Sequence, residues 1–296
     1  MSLVECVPNV SEGRRGDVID SIGRAIADAG ISLLDTSSDP SHNRTVYTFA
    51  GEPATLQDAV LRMFDAAIGA IDLRLHEGVH PRMGAIDVVP FIPLEGATMD
   101  DCIALAKSTG SCVAERFGVP IFLYESAAAS DTRRSLAEVR RGGVDGVARR
   151  MREPDWQPDF GPAQPHPTAG ASAIGARAIL IAYNVNLATN RLGVAKRIAS
   201  VIREANGGFA HVKAMGVQLD HRGIVQVSMN LTNYKETSMM TVFDAIAREA
   251  SVDGVRVLES EIVGLVPADA LPKDPQRRLK LRPQDLDRVL ELRING

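Results

Sequence analysis

The sequence predicts an α/β (α+β) chain made of two ferredoxin-like β-α-β-β-α-β subdomains that form a cleft. Three observations lead there. Short apolar runs rich in β-formers alternate with stretches whose apolar residues recur at helical spacing. A similar order of runs occurs twice, with additions in the first half, and it is the element order of the split βαβ motif. Between the copies lies a proline- and glycine-rich segment with little periodicity of either kind. The expected division is residues 1–178 and 179–296, with 152–178 as the segment at their junction. Clefts between such halves are where ligand pockets commonly form.

Along the first half, residues 3–9 (LVECVPN) read as a strand. Residues 17–29 read as a helix with Ile19, Ile22, Ala25, Ile26 and Ala29 on one face. Strands over 31–37 and 44–51 follow, then a helix over 54–73 that ends by Leu75. A strand over 85–94, a helix over 99–117 and a strand over 120–125 complete this half. In the second half, 178–187 (AILIAYNVNL) reads as a buried strand. A helix over 191–205 carries Leu192, Ala195, Ile198, Ala199 and Ile202 on one stripe and stops at Gly207 and Gly208. Strands over 210–219 and 224–231 flank Asp220-His221-Arg222-Gly223, a hairpin turn. Thr237 stands where it would cap a helix over 238–250, and 255–267 supplies the last strand.

Composition narrows the function classes. The 296 residues are 45% hydrophobic and 24% charged, which suits a globular core and excludes a disordered or fibrous chain. A net charge of −4 argues against a general nucleic-acid binder. The densest basic stretch, Lys273, Arg277, Arg278, Lys280 and Arg282, is interleaved with Asp274 and Asp285 and reads as a solvated face. Cys6, Cys102 and Cys112 are odd in number and lack CxxC spacing, which suits reduced, structural thiols rather than disulfides or a zinc cage. The N-terminus lacks a basic stretch followed by an apolar core, and no apolar run reaches a membrane span of about 18–20 residues. A cytoplasmic protein without membrane or nucleic-acid partners is expected.

His76-Glu77-Gly78-Val79-His80 satisfies HExxH, a zinc-peptidase pattern that needs both histidines on one helical face. Gly78 inside the motif and Pro81 directly after it oppose a helix there, so the match reads as accidental and no metal is expected. In HEGVHPRMGAIDVVPFIP the same stretch delivers an imidazole, His80, and a guanidinium, Arg82, to the mouth of a strand. His80 suits a proton shuttle near neutrality or a loop hydrogen bond, and Arg82 suits a ligand anion or a nearby carboxylate. Asn43 and Arg44 lie where a turn feeds a strand and either face a ligand or serve the turn. Asn184 and Asn186 share one strand face, so they satisfy one another or contact a ligand. The junction segment holds Pro154, Pro158, Pro162, Pro165 and Pro167 with the only tryptophan, Trp156, and reads as an ordered binding loop rather than a plain linker.

The segments VECVPNVSEGR (4–14), DPSHNRTVYTFAG (39–51), HEGVHPRMGAIDVVPFIP (76–93), WQPDFGP (156–162), GARAILIAYNVNL (175–187), VQVSMNLTNY (225–234) and SEIVGLVP (260–267) occur in order, and in them the chain resembles the formiminotransferase family. The resemblance implies two ferredoxin-like subdomains and a homodimer. It also implies transfer of a formimino group from N-formimino-L-glutamate to tetrahydrofolate, a co-substrate, in histidine degradation and one-carbon metabolism. It carries the catalytic histidine onto His80. It carries a folate-binding loop onto Gly161, Pro162, Ala163, Gln164, Pro165, His166, Pro167, Thr168, Ala169 and Gly170. Arg44 and Arg82 are then candidates for the glutamate carboxylates, with Asn43, Asn184 and Asn186 as further substrate contacts. The family pattern leads one to expect an acidic residue in the loop after Leu33-Leu34-Asp35, where this sequence has Ser37. No cyclodeaminase segment follows, so a monofunctional transferase is expected. Formyl transfer between N-formyl-glutamate and tetrahydrofolate, and folate binding without catalysis, are the rival readings.

Overall fold

The computed structural model describes residues 2–78 and 82–296, and the chain divides into two compact units, Met1–Arg177 and Ala178–Gly296. The α/β class expected from the sequence is borne out, with one mixed sheet in the first unit and one antiparallel sheet in the second.

The first unit begins with β1 (Val4–Cys6) and β2 (Asn9–Val10). A single strand is expected here, but Pro8 has no N–H for the ladder and the strand breaks around it. Both pieces lie between the same two neighbours, β4 (Arg44–Gly51) and β5 (Ile86–Pro93). α1 (Gly16–Ala27) follows β2, β3 (Leu33–Asp39) pairs with the far edge of β4, and α2 (Pro53–Ala70) leads towards β5. The lateral order β3, β4, β1/β2, β5 thus interleaves the chain as a split βαβ arrangement does. α2 stops at Ala70, short of the expected Leu75, where Ile71 turns extended and Asp72 accepts the Arg74 N–H in a tight turn.

α3 (Met99–Phe117) matches its expected bounds because its ends are chemically marked. The Thr98 hydroxyl accepts the Asp101 N–H while the Asp101 carboxylate accepts the Thr98 N–H, and Gly118 ends the helix at φ 65°. β6 (Ile121–Glu125) forms the far edge of the sheet. α4 (Leu136–Arg140) and α5 (Gly143–Arg150), two short helices, come next. β7 (Ser172–Ala176) then inserts between β5 and β6, parallel to both.

β7 puts a strand inside the junction segment 152–178, where the sequence shows little strand periodicity. It is buried throughout. α1, α2 and α3 pack on one face of the sheet with Tyr47, Phe49, Val89 and Ile174. Val139, Val147 and Met151 of the α4–α5 segment pack on the other with Val88, Phe122, Tyr124 and Ala173. The small side chains let β7 fit between these layers. Cys6 and Cys102 sit in the larger core, where burial pushes both thiols up, Cys102 to about 11.

The second unit runs β8 (Ile181–Leu187), α6 (Leu192–Ile202), β9 (Val212–Leu219), β10 (Ile224–Leu231), α7 (Met239–Val252) and β11 (Val257–Val263). Its strands lie in the order β11-β8-β10-β9, all antiparallel, with α6 and α7 against Tyr183, Val185, Val225 and Val227. The β9–β10 hairpin turns at Asp220–Arg222 and closes on Gly223 at φ 64°. Ser238, not Thr237, caps α7 through the Thr241 N–H, because the Thr237 hydroxyl donates to the Ala210 carbonyl instead. The basic C-terminal stretch is not uniformly solvated either. The Lys280 ammonium reaches the Val257 carbonyl, and Arg282 is largely buried between Glu261 and Asp285. Among the described residues no helix is long and apolar enough to cross a membrane.

A Cβ on Gly175 would lie 2.5 Å from the Tyr124 carbonyl oxygen of β6, whereas one on the exposed Gly69 of α2 would meet nothing within 4 Å. Gly175→Ala should therefore cost about 1–3 kcal/mol by overpacking. Gly69→Ala should be neutral or stabilise by up to ~1 kcal/mol. Urea unfolding midpoints at constant slope check both, and equal midpoints for the two variants would refute this account of β7.

Candidate functional site

Three loops of the first unit meet at Asn43. This residue adopts φ 50°, a conformation asparagine tolerates better than most residues. Its side-chain oxygen accepts the Gly13 N–H at 2.8 Å, and its side-chain nitrogen donates to the Glu77 carbonyl at 2.8 Å. The His76 ring nitrogen Nε2 lies 3.1 Å from the Asn43 carbonyl. Glycine is required on both sides of this crossing. A Cβ on Gly13 would sit 2.5 Å from the Arg44 nitrogen, and one on Gly78 would sit 2.6 Å from the His42 carbonyl oxygen. The sequence-expected segments VSEGR, SHNR and HEG are thus brought together by one amide.

The carboxylates around this crossing are held ionised. Burial pushes Glu12 up, but the N–H groups of Arg15 and Arg14 and the Arg15 guanidinium outweigh it, so its pKa falls below the ordinary value. Asp39 is likewise lowered against its burial, since it accepts the N–H groups of Ser41 and His42 and pairs with His42 Nδ1 at 2.6 Å. Ser37, where the resemblance leads one to expect an acid, lies on β3 opposite Val46.

His80 lies outside the described residues, as do Val79 and Pro81. Residues 76–78 are not helical, so His76 lacks the setting that HExxH requires. Burial, then the charge of Arg82, pushes His76 below the usual histidine value. Arg82 donates to the His76 carbonyl at 2.8 Å and to the Gly78 carbonyl at 3.1 Å, which ties its guanidinium to residues 76–78.

The segment from Gly161 to Gly170 is an ordered loop. Gly161, at φ 88°, passes so close to Val119 and Ala114 that a Cβ would touch both. His166 and Gly170 exchange two backbone hydrogen bonds, and His166 Nδ1 accepts the Ala169 N–H at 3.0 Å. Its ring is thereby a neutral acceptor, with its pKa lowered by burial. The end of the loop is stitched to the chain on both sides of His80. The Leu73 N–H donates to Thr168, Ala85 donates to Ala169, and Ala171 donates to Met83. Asn43, Arg44, Arg82 and the 166–170 end of the loop therefore belong to one local framework.

Two charged residues went unread in the sequence. Asp87 is 1% exposed at a bulge of β5, between Ile86 and Val88, which face Val10 and Asn9 of β2. It accepts the Met83 N–H at 2.7 Å, and Arg140 from the end of α4 reaches its other oxygen at 2.5 Å. An acid inside the apolar run AIDVVPF is the signal that pointed to Asp87. Nothing local marks Arg140.

Asn184 and Asn186 lie in the second unit, on the sheet face opposite α6 and α7. Asn184 donates to Glu261 at 3.0 Å and Asn186 to Glu259 at 3.1 Å. Gln226 bridges the Asn186 oxygen and Glu261. Arg222 and Arg282 neutralise the two glutamates at 2.7 and 2.6 Å. Neither asparagine bonds the other; each is engaged by glutamate or glutamine side chains of the same polar stripe. Among the described residues no group of three His, Cys, Asp or Glu side chains is arranged to hold a metal ion.

Residues 3–177 match the model of the formiminotransferase domain, N-terminal subdomain, and residues 182–276 match that of the formiminotransferase domain. The chain is 44% identical over 270 residues to a glutamate formimidoyltransferase of Streptococcus pyogenes, covering 91% of this chain and 90% of that one. It is 43% identical over 297 residues to a glutamate formimidoyltransferase of Thermoplasma acidophilum, covering 99% and 98% respectively. A formimidoyltransferase-cyclodeaminase of Dictyostelium discoideum is 45% identical over 276 residues, and there the chain spans only 51% of the relative's length. Similarity of this extent, across both units, establishes that the chain belongs to the formiminotransferase domain family.

Proposed function

We propose that this chain transfers the formimino group of N-formimino-L-glutamate to tetrahydrofolate, yielding 5-formiminotetrahydrofolate and L-glutamate, as a step of histidine degradation. The observation that carries the reading is its identity of 43–44% to two glutamate formimidoyltransferases, over nearly the whole of each. The reading extends to a cytoplasmic homodimer, in keeping with thiols that are free and buried or half-buried.

N5 of tetrahydrofolate attacks the amidine-like carbon of the donor and a carbon–nitrogen bond forms. The proton of N5 passes to His80. The bond from that carbon to the glutamate nitrogen then breaks, and the imidazolium of His80 returns the proton to the leaving amine. One group with a pKa near 7 serves both steps. His76 and His166 are unsuited to this role, because each is bound to backbone through a ring nitrogen and lowered by burial. Arg82 holds residues 76–78 through the His76 and Gly78 carbonyls, while Arg44 offers its guanidinium to a substrate carboxylate. The ordered loop 161–170 is assigned to the folate, and holding both substrates makes the attack effectively intramolecular.

A steady-state assay of the pure chain with tetrahydrofolate and either N-formimino- or N-formyl-glutamate tests the donor. Turnover with the formimino donor is expected; preference for the formyl donor would change the substrate, and inactivity with both would leave a folate-binding protein. His80→Ala should lower kcat by about 10²- to 10⁴-fold with its thermal midpoint preserved, and near-wild-type turnover would remove His80 from the mechanism. The pH profile separates the histidines. His76→Gln should keep the wild-type limb near neutrality, since His76 is already neutral there, whereas His80→Gln should abolish it.

A further inference from the structure

Of the two arginines expected at the glutamate end of the donor, Arg82 is the one already engaged by the fold. Arg82 has two guanidinium nitrogens on the His76 and Gly78 carbonyls, so its fork is committed to the loop. Arg140 is differently arranged. It ends α4, on the side of the sheet where Val139, Val147 and Met151 pack, and its NH2 meets the buried Asp87 at 2.5 Å. Its Nε is buried and has no hydrogen-bond partner.

Arg44 comes from the opposite direction. It opens β4 and alternates with Thr45 and Tyr47, so its side chain lies on the sheet face turned away from α1, α2 and α3. Its Nε is likewise buried without a partner. Burial opposes its charge most, and Arg140 is the neighbour that opposes it next, against relief from Asp39 and Asp87. Arg82 feels the same Asp87 and is opposed by Arg14. The cluster therefore sets two half-buried guanidiniums near the buried Asp87, with Asp39 as a second carboxylate felt by Arg44, and each guanidinium keeps one unpartnered donor.

A buried charged donor without a partner costs on the order of 1–3 kcal/mol, a cost the fold accepts where function uses the donor. Guanidinium forks match carboxylates in geometry, and two of them suit one end of a dicarboxylic amino acid. Asp87 accepts the Met83 N–H and stands against the Arg140 guanidinium, so it belongs to the frame that holds Arg140.

We propose that Arg44 and Arg140 form the carboxylate-binding pair for the glutamate moiety, with Asp87, fixed at the β5 bulge, as the positioning residue that aims Arg140. This assignment rests on the formimino-transfer reading for the identity of the ligand.

Steady-state kinetics on the full chain test it, alongside calorimetric titration with L-glutamate alone. Arg140→Gln should raise KM for N-formimino-L-glutamate by about 10- to 100-fold, equivalent to losing one charge-assisted contact, while kcat and KM for tetrahydrofolate stay near wild type. Arg140→Lys, which keeps the charge and loses the fork, should recover part of the KM, and L-glutamate binding should weaken in the same order. Asp87→Asn should raise the same KM without raising that for tetrahydrofolate. An unchanged donor KM in folded Arg140→Gln and Arg140→Lys would overturn the assignment, as would equal loss for both substrates. If the wild type turns over neither donor, the functional reading fails on its own. L-glutamate binding that is lost in Arg140→Gln would then still uphold the anion pair, and binding that is absent or insensitive would overturn it.

Discussion

A carboxylate buried as deeply as Asp87 is tolerable only with its charge answered, and the first unit is organised around that answer. Removing an ionised acid from water costs several kcal/mol unless hydrogen bonds and a counter-charge compensate. The compensation here comes from two directions, the Met83 N–H just ahead of the strand and Arg140 from the end of α4. Supplying the first fixes how the chain enters β5, directly after the segment that carries His80. Supplying the second requires α4 to lie against the sheet, which it does through Val139 in the smaller core. The bulge at Asp87 is the same feature that turns its side chain towards both partners. One buried charge thus couples loop, strand and helix.

The same logic of committed partners sorts the remaining polar groups into framework and site. Asn43 spends both ends of its amide on backbone, and Arg82 spends two nitrogens on carbonyls. Each stabilises loop geometry that no regular secondary structure would supply. Groups used this way are rigid, and rigidity at the loop crossing is what a two-substrate transfer needs, because small misplacements of the reacting atoms are costly. Arg44 stands apart from them because burial has removed its Nε from water without giving it a protein acceptor.

How much of this could be read from the sequence depended on whether the signal was local. α3 carried its own punctuation at Thr98, Asp101 and Gly118, and its bounds were legible to the residue. β7 was not, because its small residues report the closeness of two neighbouring strands and of layers on both faces, a demand that arises only after the sheet is assembled. α4 and α5 are too short for periodicity to reveal. In the site, Asn43 and Arg44 stood out by their position at a turn, and Arg82 by its place before a strand. Arg140 was illegible in principle, since its meaning lies in an ion pair with a residue on another element.

The second unit shows why polar residues on a strand face are ambiguous until partners are known. Asn184 and Asn186 alternate with Tyr183 and Val185, so period-two spacing sends them to the face away from the helices. That pattern fits a ligand surface and a self-contained network equally well. Glu259 and Glu261 on β11 resolve it locally, because each accepts from an asparagine and meets an arginine. Burial works to raise Glu259, yet Arg222 and Asn186 hold its pKa below the ordinary value. Its folded-state pKa is depressed, so its contribution to stability is present above the unfolded-state value and fades as pH falls through the folded one. A network of this kind keeps a polar face preorganised, because both glutamates on it already meet an arginine.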